Sequence, residues 1–102
     1  VRSQYENMAE TDEPPFPLAG LAPLYRAVAD GQQRRLAEGE LSVIVDVDAS
    51  GQALQAAVYK TPDPALASYV AGVLLKQKYK PAVCGGQACA MQFPFRIKLN
   101  VE

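Results

Sequence analysis

Thiols, imidazoles and paired carboxylates carry most side-chain chemistry, and this chain offers few of them. Its 102 residues include no His and two Cys. Without imidazole there is no Ser-His-Asp or Cys-His relay and no His-ligated metal. Two thiolates also fall short of a four-thiolate zinc site. Cys84 and Cys89 bracket Gly85-Gly86-Gln87-Ala88. Such a segment, with two glycines, can turn back on itself and bring the sulfurs together. Closing that short loop would contribute about 2 kcal/mol on the chain-entropy model. The spacing is CxxxxC and not the CxxC of dithiol oxidoreductases. The pair reads as a structural disulfide, with two reduced thiols as the alternative. A disulfide implies an oxidising compartment such as a periplasm.

The carboxylates offer less. Asp46-Val47-Asp48-Ala49-Ser50-Gly51 matches the opening D-x-D-x-S-G of an EF-hand calcium loop. The bidentate Glu that should close such a loop is replaced by Ala57, and the flanks read as strands. A hairpin turn with solvating acids is the better reading, so no metal is expected. Asp46 and Asp48 lie two apart on one strand face that ends in a turn, which gives no reason for a shifted pKa. No cofactor site and no enzyme follow from these residues.

Charge narrows the partners. The formal net charge is -1. Within residues 1–17 one cation, Arg2, faces four carboxylates, a net of −3 that leaves +2 for the remainder. Lys60, Lys76, Lys78, Lys80, Arg96 and Lys98 give the C-terminal half a mildly basic surface. No aromatic residues interleave with these cations to stack bases, so no nucleic-acid partner is expected.

The elements that must position these residues follow from periodicity. Residues 1–17, acidic and ending in Pro14, Pro15 and Pro17, read as a flexible arm or linker. Residues 18–102 form the folded domain. Leu18 to Ala37 reads as a helix on the spacing of Leu21, Leu24, Tyr25 and Val28, with a break at Asp30-Gly31 and a stop at Gly39. Glu40 to Asp48 and Ala53 to Lys60 read as two strands around a turn at Gly51. Asp63-Pro64 caps a second helix striped by Leu66, Tyr69, Val70, Val73 and Leu74, with Lys76, Lys78 and Lys80 at its C-terminal end. Gly72, inside it, suggests close approach to the sheet. Met91, Phe93, Phe95, Ile97, Leu99 and Val101 alternate strictly with Gln92, Pro94, Arg96, Lys98 and Asn100, which predicts a half-buried last strand. Pro94 lacks a donor and predicts an edge strand or a bulge. The expected fold is α+β, a three-stranded antiparallel sheet packed against two helices. An exposed edge in such a sheet can recruit an extended peptide by strand addition.

No run of about 18 apolar residues exists to span a bilayer. The sequence opens on Val1 without a signal-like segment, and it reads as a mature or excised fragment.

Several segments, in order, resemble a known family. Gly39-Glu40-Leu41-Ser42-Val43 and Val45-Asp46-Val47-Asp48-Ala49-Ser50-Gly51 resemble the opening strand and turn of TonB C-terminal domains. Lys78-Tyr79-Lys80-Pro81-Ala82, Gly86 and Phe93-Pro94-Phe95-Arg96-Ile97 resemble the end of that domain, and Pro15-Phe16-Pro17 the aromatic-Pro element ahead of it. The resemblance implies a periplasmic domain of a Gram-negative bacterium that transduces energy without being an enzyme. It implies an inner-membrane anchor and motor proteins reached through it. The partner would be a peptide segment of an outer-membrane transporter, gripped by the final strand, here Gln92, Phe93, Pro94, Phe95, Arg96, Ile97, Lys98, Leu99 and Asn100. The alternative is a structural scaffold or dimerisation module of the cell envelope, and either a monomer or a homodimer is expected.

Overall fold

The structure is a computed structural model that describes residues 12–35 and 38–99. Its elements in chain order are β1 (Phe16–Pro17), α1 (Ala22–Arg35), β2 (Gly39–Val47), β3 (Ala53–Lys60), α2 (Pro64–Lys76), β4 (Tyr79–Lys80), β5 (Ala82–Cys84), β6 (Gln87–Cys89) and β7 (Met91–Leu99). The main sheet is antiparallel with order β3-β2-β7, and the two helices pack on it. The fold is α+β, as the alternating strands and striped helices require.

The strands form where period-2 patterning places apolar side chains on one face. Leu41, Val43, Val45 and Val47 of β2 are buried together with Phe93, Phe95 and Leu99 of β7. Leu24 and Val28 of α1, and Leu66, Ala67, Val70 and Leu74 of α2, close the same core from above. Burial of each large apolar side chain contributes about 1.5–3 kcal/mol, and this shared core is what holds the layers together.

α2 begins where its cap requires. The Asp63 carboxylate accepts from the amides of Ala65 and Leu66 at 2.9 and 3.2 Å, and Pro64 fills the first turn. The helix ends at Lys76, because Gln77 turns extended at φ -71° and ψ 150°. Lys78 and Lys80 therefore lie beyond the helix, and only Lys76 stands in its last turn. Tyr69 of the expected stripe is exposed, and Ala67 takes the buried place.

α1 starts later than its periodicity suggests. The Leu18 amide donates to the Lys78 carbonyl and the Gly20 amide to that of Pro17, so residues 18–20 make a turn. The expected break at Asp30-Gly31 does not occur. Gly31 sits inside α1 because a Cβ there would collide with the Leu66 side chain of α2. Close approach thus belongs to Gly31; Gly72 has nothing within 4 Å of where a Cβ would stand. Gly39 opens β2 at φ +134°, and residues 36–37, where the expected helix ends, lie outside the described residues.

The segment before α1 is not an isolated tail over its last residues. Glu13 and Val83 exchange backbone bonds at 3.0 and 2.9 Å, and Phe16–Pro17 pairs antiparallel with Tyr79–Lys80. Pro15 and Pro17 are buried. Residues 1–11, the remainder of the expected arm, lie outside the described residues.

Candidate functional site

β7 is the strand that the sequence singled out, and the topology puts it at one edge of the main sheet. Its register with β2 runs without a bulge from Gly39 opposite Leu99 to Val47 opposite Met91. Pro94 lies inside this ladder, opposite Ile44. Proline has no N–H, and in a sheet its nitrogen must face away from the neighbouring strand for the ladder to stay intact. Alternation then turns the backbone groups of Gln92, Pro94, Arg96 and Lys98 toward the outer edge. Three of them present both a donor and an acceptor, and Pro94 presents only its carbonyl. Among the described residues no strand pairs with this edge.

The side chains divide along the same alternation. Phe93, Phe95 and Leu99 are buried against the helices and Ile97 is half-buried, so they anchor the strand and do not offer themselves to a partner. Gln92, Pro94, Arg96 and Lys98 lie on the face away from the helices, where Arg96 and Lys98 are exposed. Asn100 lies outside the described residues. Lys98 stands opposite Glu40 in register, but Glu40 pairs instead with Lys60 of β3 at 3.1 Å.

An aromatic cluster holds β7 on its helix-facing side. Tyr79 lies 5.6 Å from Phe93 between ring centroids, Phe16 meets Phe93 edge-on at 6.1 Å, and Tyr25 covers Phe95 at 6.3 Å. The Tyr79 hydroxyl donates to the Leu74 carbonyl at 2.8 Å, and burial pushes its pKa up to about 12. The Phe16 contact was not legible in the sequence, since it depends on the arm returning along β4.

Cys84 and Cys89 form a disulfide with Cα atoms 5.9 Å apart. It closes the β5–β6 hairpin immediately before β7, with Gly85 and Gly86 at φ +56° and +83° making the reversal. The Asp12 carboxylate accepts from the Gly85 amide at 3.0 Å, and Lys80 pairs with Glu13 at 3.4 Å.

The acidic turn is organised by its own backbone. Asp48 accepts from the Ser50 hydroxyl at 2.6 Å and from the amides of Ser50 and Gln52 at 2.9 Å. Contrary to the expectation of an unshifted carboxyl, the Ser50 hydroxyl, followed by the Gln52 amide, holds that of Asp48 below the usual value. That oxygen serves as a turn acceptor, the role a hairpin gives it. No family model matches this chain, and no curated protein matches it in sequence.

Proposed function

We propose that the chain is a non-enzymatic, TonB-like periplasmic domain that binds a peptide segment of an outer-membrane transporter by β-strand addition to β7 and transmits force to it. In this reading an inner-membrane anchor and its motor proteins are reached through sequence preceding the domain. The observation that carries it is the outer edge of β7: a regular nine-residue strand, anchored by Phe93, Phe95 and Leu99, with no strand beside it among the described residues. Backbone pairing supplies affinity there, and Arg96 and Lys98 select the side chains of the partner. The periplasmic part of the reading is supported by the Cys84–Cys89 disulfide.

The test is a titration of the labelled domain with peptides from transporter N-termini, read by amide shifts. Shifts confined to residues 92–99 are expected. Pro94→Ala restores the missing donor and should tighten the complex about fivefold, the value of one net hydrogen bond. If no peptide moves those amides, strand addition at β7 is wrong.

One observation favours a second reading, a scaffold or dimerisation module. The opposite edge strand, β3, exposes Leu54 at 62% and Tyr59 at 53%. Edge strands are usually guarded by charge, and β3 has only Lys60. Sedimentation over a concentration series tests the second reading: a stable dimer that Leu54→Lys dissolves places the contact on β3, whereas a dimer through β7 leaves that edge closed to a peptide.

A further inference from the structure

The region between the β2–β3 turn and the end of α2 holds a cleft of about 490 Å³, within the usual range for ligand sites. Its walls are fixed by the backbone. The Tyr79 amide donates to the Gly51 carbonyl at 3.0 Å, Gln52 bridges to Lys78, and Leu18 donates to Lys78 at 2.9 Å. Gly51, at φ +88°, leaves no room for a Cβ against the Tyr79 carbonyl, so the turn is pressed onto β4.

Three kinds of group line this cleft. Leu18 and Leu75 remain 67% and 41% exposed at it. Gln52 brings an exposed carboxamide, and Gln77 one whose nitrogen donates to the Val73 carbonyl at 3.4 Å, leaving its oxygen to accept. Lys76 and Lys78 bring charge, while the ion pairs of Lys60 with Glu40 and of Lys80 with Glu13 engage other lysines. Lys76 also complements the negative end of α2, but Lys78 lies past the helix and has no such role. The Asp48 carboxylate at the cleft's border is engaged by its own turn.

We infer that this cleft is a second binding site, for an acidic peptide segment in which a carboxylate stands beside an aliphatic side chain. A peptide matches all three linings at once: carboxylate to lysine, backbone amide to carboxamide, aliphatic side chain to the leucines. A fatty acid would make no use of the Gln52 carboxamide or the Gln77 oxygen, and a sugar phosphate would cover neither leucine. The site is separate from the β7 edge and does not depend on strand addition there.

The experiment titrates the full chain with the blocked tetrapeptide Glu-Leu-Glu-Leu and with its neutral counterpart Gln-Leu-Gln-Leu, following backbone amides. Shifts at residues 50–53 and 75–79 are expected with the acidic peptide, and at least tenfold weaker binding with the neutral one. Lys78→Gln should weaken the acidic peptide about tenfold, whereas Arg26→Gln, an exposed cation on α1, should not. Added salt should weaken binding as well. Equal binding of both peptides, shifts restricted to residues 92–99, or no shifts at all would each overturn the assignment.

Discussion

Leu66 of α2 lies against the backbone of α1 at Gly31, where the two helices cross too closely to admit a Cβ. The side chain that must give way is a packed one, since Leu66 is itself enclosed in the core at 1% exposure. Gly31 is therefore a packing residue in spite of its poor helix propensity.

Two glycine substitutions should consequently act in opposite directions. Alanine at position 72 meets nothing within 4 Å, and should stabilise the domain by about 0.5–1 kcal/mol through helix propensity. Gly31→Ala gains the same propensity but overpacks Leu66, at a cost of about 1–3 kcal/mol. Urea unfolding of both variants measures the contrast. If Gly31→Ala stabilises as much as Gly72→Ala, the close helix crossing is not present in solution.

Tyr79 gives the domain an alkaline limit. Its phenol titrates near 10.0 in an unfolded chain, and burial raises that to about 12 in the folded one. Between these values the folded state keeps a proton that the unfolded chain releases. The contribution of Tyr79 is thus constant below about pH 10 and is lost as pH rises toward 12. Tyr79→Phe should cost about 1 kcal/mol at neutral pH, for the bond to Leu74. It should also remove this alkaline decline, so that the difference between parent and variant shrinks above pH 10. A difference that does not change with pH would contradict the burial argument.

The disulfide should stabilise more than the hairpin that it closes. Replacing both Cys84 and Cys89 by Ser should cost about 2 kcal/mol. The amides of Glu13, Val83 and Gly85 depend on the position of that hairpin through their bonds to one another and to Asp12. Hydrogen exchange should show them losing protection ahead of the β2–β7 ladder. Two titratable thiols in the denatured parent protein would show that the bond is absent.

Whatever depends on neighbours a few residues away can be read from the residues alone. The strict alternation from Met91 to Leu99 made β7, the Asp63-Pro64 pair started α2, and the apolar alternation of Leu41 to Val47 made β2, because strand faces and helix caps are local geometry. Pro94 announced that β7 would be an edge or carry a bulge, and its missing donor explains why the edge, with an unbroken register, was one of the two solutions. The sequence could not choose between Gly31 and Gly72 as the point of close packing, since both lie in helices and only the crossing of α1 over α2 separates them. Nor could it place Glu13 and Phe16, whose partners Val83, Lys80 and Phe93 lie more than sixty residues away. The cleft beside Lys78 belongs to the same class. Its leucines, glutamines and lysines come from the turn between β1 and α1, the β2–β3 turn and the end of α2 with the residues just past it, and only tertiary packing, which satisfies distant backbone groups such as Gly51 and Tyr79 with each other, brings those three segments together.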